Sequence, residues 1–299
     1  MTAAPNTPVV ESELPARPLG PGAVSWYASS DNRFLLVSVR TLILQVGHPM
    51  VGAGVGAHSV YKTDPWGRLW RTAVSLTKQV FGGYEAAIEG QRLIAMHREI
   101  MGKDDSGRRY SALNPSAYLW VHATMFDAWR LFLRDFGPGL SADEEAAMYE
   151  EWRRVGLLIG TKPSLMPRDL GEFESYWADM LDGLENNAVV QDLLYYPPKR
   201  PPYVPIPQGM VDLAYTPAIA LLRDVMANTL DPQLRARFGI AKPDAHSRRR
   251  YELMKLTSKS LNLVPSPIRR APLANWQMWR TAKDPRITPE PINYPRRSA

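Results

Sequence analysis

The sequence predicts an all-α protein, a single helical domain with a globin-like core carried between extended Pro-rich N- and C-terminal arms. Three observations predict the helical class. Apolar residues recur at spacings of three and four along most of the chain. The segment boundaries carry helix caps and stops. No run of alternating apolar and polar residues, and no internal repeat, points to a sheet. At 299 residues the chain is long enough for a real core, and 45% hydrophobic with 22% charged residues is an ordinary globular composition.

The elements follow in order. Residues 1–24 are rich in proline and read as a flexible arm, 25–262 as the helical domain, and 263–299 as a basic second arm rich in Pro and Arg. Phe34 to Val46, broken only by Arg40, reads as a buried helix too short to span a bilayer. Asp64 is a good N-cap before Pro65, and that helix runs to Val80, where Gly82-Gly83 stop it. Tyr84 to Met101 places Ala87, Gly90, Ile94, His97 and Met101 on one face. Asn114-Pro115 opens a helix to Phe136 with Tyr118, His122, Met125, Trp129 and Phe132 along its seam. Ser141 with Glu144 forms a capping box for the helix through Leu158. Helices are also expected over 169–184, 210–227 and 246–261. Pro197 to Pro207 is a stiff extended crossing. Beyond Leu263 an extended arm is expected, with Trp276 and Trp279 docking onto the body.

Composition excludes several chemistries. Without cysteine there are no disulfides, no iron–sulfur cluster, no thiolate-ligated haem and no zinc ribbon. The N-terminus has no apolar core of signal-peptide length, which leaves a cytoplasmic location as the expectation. The net charge of +6 is uneven: from Arg248 onward 12 Lys/Arg face three acids, a balance of +9, leaving −3 for the remainder. Such an end suits peripheral contact with a membrane or an acidic surface, or a solvated arm; no nucleic-acid module accompanies it, so no nucleic-acid partner is expected.

Chemistry concentrates between Gln45 and Thr72. His48 precedes Pro49, a small-residue passage leads to His58, and Arg68 and Thr72 share a helix face at i and i+4. Gly and Ala here let something approach the backbone closely. The run GAGVGA follows no predicted strand, so helix–helix packing accounts for it better than a dinucleotide site. His97 and His122 lie on the apolar seams of their helices, where an imidazole is either a satisfied core residue or a metal ligand. There is no His-Glu-x-x-His and no Glu-x-x-His repeat, since residues 94 and 119 are Ile and Leu. Gly-x-Ser-x-Gly and phosphate-cradling loops are also missing. Arg68 is either a surface cation or a carboxylate-binding group, with Thr72 donating beside it or bonding back to its own helix.

From Leu36 to about Gly160 the chain resembles the MpaB-like oxygenases, which include the latex clearing proteins that cleave rubber. The matching pieces are Leu-Gln-Val-Gly-His-Pro at 44–49, His58-Ser59, Asp64 to Thr72, Phe81-Gly82, the Arg92 to His97 helix, Tyr110 to Pro115 and Trp120-Val-His-Ala-Thr124. The resemblance implies a globin-like helical core holding haem b through one axial histidine, with O2 as co-substrate and an apolar, isoprenoid or alkene-bearing, substrate. It implies an Arg-x-x-x-Thr pair in the haem pocket, which maps onto Arg68 and Thr72. The axial ligand maps onto His97, with His122 as second choice, and His48 and Arg71 border the cofactor. Arg71 stands where the rubber oxygenases carry a lysine, and Gly52 and Ala57 lie where their carboxylate base would be sought. The alternatives are a non-enzymatic haem-binding or oxygen-sensing protein, a cofactor-free helical protein, and a non-haem iron site from His48, His58 and Asp64.

Overall fold

The computed structural model describes residues 14–195, 207–292 and 294–295, excluding the side chains of residues 208, 212 and 214–216. Its helices are α1 (Val24–Ser30), α2 (Leu35–Gly47), α3 (Pro49–His58), α4 (Pro65–Phe81), α5 (Glu85–His97), α6 (Pro115–Asp135) and α7 (Ala142–Leu158). They continue with α8 (Leu170–Asp182), α9 (Ala188–Tyr195), α10 (Gln208–Thr229), α11 (Pro232–Arg237), α12 (Ala245–Ser260), α13 (Ser266–Arg269) and α14 (Pro272–Ala282). One antiparallel hairpin pairs β1 (Met101–Lys103) with β2 (Arg109–Ser111). The protein is a single all-α domain.

Helix α6 is the axis of the core. It buries Leu119, Trp120, Ala123, Phe126, Trp129 and Phe132, each at most 1% exposed. Its neighbours are fixed by directional bonds as well as packing. Trp120 Nε1 donates to the Leu44 carbonyl at 2.9 Å, tying α6 to α2, and Gln45 Nε2 donates to Thr124 Oγ1 at 2.9 Å. Arg40 of α2 forms a salt bridge with Asp127 of α6. On the other side Phe126 meets Tyr149, Trp152 and Phe173 edge-on or tilted, so α7 and α8 close over it. Apolar burial of this kind supplies the driving force, about 1.5–3 kcal/mol per large side chain.

Local signals set most boundaries. The Asp64 carboxylate accepts from Gly67 N at 2.9 Å, Asn114 caps α6, and Ser141 with Glu144 completes the capping box of α7. Pro49 follows His48 directly, and there the chain turns by 101° from α2 into α3. Along α3 the glycines do make room for neighbours. A Cβ on Gly52 would strike Asn187 and the Val46 carbonyl, and one on Gly56 would come within 3.2 Å of Val189. The small-residue stretch is therefore a packing surface against α9.

Three expectations need correction. The helix over Tyr84–Met101 ends at His97, and the hairpin takes over at Met101, because Asp104 Oδ1 collects the Ser106 and Arg108 amides and stabilises a tight turn. The segment after Leu263 is not extended: Pro267 and Pro272 occupy first turns and start α13 and α14. Nor do Trp276 and Trp279 dock; they stand 48% and 57% exposed. Part of the proline-rich start is packed down as well, with Leu19 and Ala23 buried and Gly20 N donating to Glu290 at 3.0 Å. The expected crossing at Pro197–Pro207 lies outside the described residues except for Pro207.

Candidate functional site

Helices α4 and α5 form the frame of the site, and a buried carboxylate joins them. Glu89 of α5 is 3% exposed and accepts from Ser75 Oγ of α4 at 2.5 Å and from Arg92 Nε at 2.9 Å. Burial alone would raise its pKa, but the Arg92 and Ser75 hydrogen bonds hold it below the usual carboxylate range. Gly90 sets how closely α5 approaches α7: a Cβ there would meet the Leu158 carbonyl and lie 2.7 Å from Ile159 Cα. His97 lies seven residues on, two turns along the same face.

His97 is half-buried at the last turn of α5, packed edge-on against Tyr118 of α6 with ring centroids 6.0 Å apart. Its Nδ1 is buried without a hydrogen-bond partner. Burial lowers its pKa, and the positive charges of Arg68 and Arg92 lower it further, so the ring is neutral at pH 7. A neutral imidazole is the form that ligates metals.

Arg68 reaches the same place from α4. Its Nη1 donates to Thr72 Oγ1 at 2.5 Å, while Thr72 Oγ1 donates to the Arg68 carbonyl at 2.9 Å. Nε points at Ser59 Oγ, 3.4 Å away, just past α3. Among the described residues no carboxylate pairs with this guanidinium, and its pKa is lowered by burial and then by the charge of Arg71. Arg71 itself turns aside. It bridges to Asp64 at 3.1 Å and leaves the Arg68–Thr72 face.

The other histidines divide. His122 is 5% exposed, stacked on Trp152 with centroids 4.9 Å apart, and donates from Nε2 to the Trp152 carbonyl at 2.8 Å. Burial pushes its pKa down to about 4. The ring is committed to the α6–α7 contact, where Gly156 leaves room for it, and it cannot face a planar ligand without opening the core. His48 caps α3 at the end remote from Ser59, about 16 Å away along the axis for eleven residues. Its Nδ1 is buried and unpartnered, and burial lowers its pKa while Glu185 opposes this. It lines a hollow of about 330 Å³ with Met50, Asp104, Tyr110, Asp179 and Met180. That hollow includes none of Arg68, Thr72 and His97; Arg68 bonds to Thr72 and its charge acts on His97, while His48 sits in this second place. His58 bonds to Tyr110 OH at 3.2 Å. Among the described residues no three His, Asp or Glu side chains gather as a metal site, and His48, His58 and Asp64 stand apart in that sense.

Sequence reasoning missed Glu89, and it used Arg92, Ser59 and Tyr110 only as positions matching the family, with no role at the site. Glu89 carried one usable signal, an acid on the buried side of α5 three residues before Arg92. Nothing in the sequence pointed to Ser59 as the neighbour of Arg68.

The fold is an all-α domain, and the family it matches is one of oxygenases. The family model for the "ER-bound oxygenase mpaB/B'/Rubber oxygenase, catalytic domain" matches residues 26–259. The chain belongs to that family and carries an oxygenase catalytic domain. It is also 27% identical over 248 residues to uncharacterized proteins of Mycobacterium bovis and Mycobacterium tuberculosis, covering 77% of this chain and 90% of each of theirs. No solved structure matches.

Proposed function

We propose that the protein is a haem b-dependent oxygenase that acts with O2 on an apolar, alkene-bearing substrate, with His97 as the residue that would hold the iron. One observation carries this reading: a neutral, half-buried imidazole with an orphaned nitrogen stands beside a guanidinium that no carboxylate balances. The donor set fits the group. Imidazole suits iron, and a guanidinium suits a carboxylate such as a haem propionate. The bound haem would supply O2 binding and activation, tuned by the histidine that holds it and by the polarity of its surroundings.

The remaining work falls to this chain's own side chains. His97 is kept unprotonated by burial and by the charges of Arg68 and Arg92. Arg68 offers donors to an anionic group at the mouth of α4, with Ser59 as its neighbour. Thr72 holds the Arg68 side chain against its own helix. Tyr118 limits the swing of the His97 ring, and its own hydroxyl is fixed on the Ile159 carbonyl at 2.9 Å.

The test is absorption spectroscopy of protein produced with a haem precursor. A Soret band is expected for the wild type and for His122→Asn, and its loss for His97→Ala with helix content unchanged. A colourless wild type, or a His97→Ala variant that keeps its band, overturns the reading. Arg68→Ala is expected to keep the band and to slow O2 consumption with an alkene substrate.

A further inference from the structure

Helix α14 turns a chemically consistent face to solvent. Its buried residues Ala274, Gln277 and Thr281 repeat at helical spacing and face the body, where Thr281 Oγ1 donates to the Phe81 carbonyl at 2.6 Å. The opposite face carries Trp276, Trp279 and Arg280, with Lys283 at the C-cap. Each Trp is paired with a cation four residues on. The Arg280 guanidinium lies 4.7 Å from the Trp276 ring centroid, and Lys283 Nζ lies 3.9 Å from that of Trp279. Arg280 is also bridged to Glu85. Just before this helix, Ile268 is 72% exposed, and Asn275 Nδ2 donates to the Pro267 carbonyl at 2.9 Å, holding α13 against α14.

Below the Trp279 edge is a hollow of about 380 Å³, lined by Trp26, Tyr27, Arg270, Met278, Trp279 and Tyr294. No hydrogen bond or ion pair of the Arg270 side chain occurs among the described residues. Burial and then the charge of Arg269 lower its pKa, opposed in part by Tyr27 and Asp31.

We propose that the outer face of α14, with Ile268 and the Arg270 hollow, docks the protein peripherally on an anionic phospholipid surface. Trp seeks the membrane–water interface because its ring is apolar and its N–H polar. Basic side chains beside it gain from the negative surface potential. The face presents Arg280 and Lys283 beside the two Trp rings, with Arg270 in the hollow below and Glu85 bridged to Arg280, so its own charge is net positive and complementary to such a surface. A protein partner fits less well, because the centres of protein interfaces are depleted in lysine whereas here Lys283 lies over the ring of Trp279. No single helix among the described residues is long and apolar enough to cross a bilayer, and the contact proposed is the one that the outer face of α14 can make. This reading is independent of the haem assignment, and its test needs no turnover.

The experiment is co-sedimentation of the full chain with phosphatidylcholine vesicles, with and without phosphatidylglycerol, read alongside tryptophan fluorescence. Binding is expected with the anionic vesicles only, weakened by added salt and accompanied by a blue shift. Lys283→Glu changes two charges at the surface and should lower partitioning by roughly thirtyfold, from about 1 kcal/mol per charge. Trp276→Ala with Trp279→Ala should abolish the blue shift; both rings are exposed, so circular dichroism should be unchanged. Equal binding to neutral vesicles, no binding to either, or variants that bind as the wild type does would each overturn the proposal. So would a self-association in solution that the Trp variants abolish, which would make a second copy of the chain the occupant.

Discussion

Glu151 of α7 sits 2% exposed beneath the start of α1, accepting from Val24 N at 2.9 Å and Ser25 N at 2.8 Å. Burial raises its pKa from an ordinary 4.5 to about 7, against the pull of those hydrogen bonds and with Glu290 adding to the rise. Between these two values the folded protein holds a proton that the unfolded chain has already lost. The folded state therefore binds more protons there, and stability falls as pH rises through the window. His122, stacked on the following Trp152, works the opposite way. Its pKa falls from 6.5 to about 4, so over that range the unfolded chain binds more protons and stability rises with pH. The two slopes oppose each other between about pH 4.5 and 6.5, each reaching about 1.4 kcal/mol per pH unit. Replacing Glu151 by Gln removes one of them and keeps the shape of the side chain. Evaluating the linkage with 4.5 and 7 gives a relative gain for Glu151→Gln of about 1.7 kcal/mol between about pH 5 and 6.5. For a chain of 299 residues that corresponds to about 3 °C in Tm relative to wild type. The assay is thermal unfolding of both proteins across that range. If the two Tm curves run parallel, Glu151 titrates normally and the argument from burial is refuted.

Two further predictions concern the core and the C-terminal segment. Gly156→Ala puts a Cβ 2.8 Å from His122 Nε2 and from Met166 Cε; overpacking against the pinned imidazole should cost about 1–3 kcal/mol, read as a lower Tm with the Soret band kept, and an unchanged Tm would mean that the His122 site is loose. Asp31 is buried between Arg33 and Arg269, the latter in α13, so Asp31→Ala leaves two largely buried guanidinium groups short of their carboxylate and should cost about 3–5 kcal/mol by denaturant unfolding. A loss below about 1 kcal/mol would place that pair with ordinary surface ion pairs.

Much of the helical frame was legible because it is written in caps and periods. Asp64-Pro65, Asn114-Pro115 and Ser141 with Glu144 each fix a start within a residue; of the expected α6 seam His122, Trp129 and Phe132 are buried, while Tyr118 and Met125 are only partly so and Leu119, Trp120 and Phe126 carry the rest of the core face. Failures cluster where a tertiary contact overrides the local pattern. Met101 fits the α5 period, yet the Asp104 turn pairs it with Ser111. Trp276 and Trp279 are large aromatics that composition assigns to a core, yet the buried stripe of α14 consists of Ala274, Gln277 and Thr281. At the site, i and i+4 spacing was enough to pair Arg68 with Thr72, since both lie on one helix. It could not show that His97 would meet them and His122 would not. Both histidines sit on apolar seams, and only the three-dimensional arrangement distinguishes a ring held by the Trp152 carbonyl from one with an orphaned nitrogen.

That difference also bears on how Arg68 and Thr72 divide their roles. The Thr72 hydroxyl has one proton, and it is spent on the Arg68 carbonyl in its own helix. Thr72 can therefore accept from Arg68 but cannot donate to an incoming ligand without giving up that bond. Arg68 has five donors, of which one is used at 2.5 Å on Thr72 and one is stretched to 3.4 Å toward Ser59. The long contact is beyond the usual hydrogen-bond range and gives little stabilisation, so an anionic group displaces it at small cost. The donor available to a ligand is thus the guanidinium, and Thr72 acts by holding it. The consequence separates the two residues: Thr72→Val should loosen Arg68 and weaken whatever anion it binds, while Arg68→Lys should fail even with Thr72 intact, because a point charge cannot reproduce the planar fork.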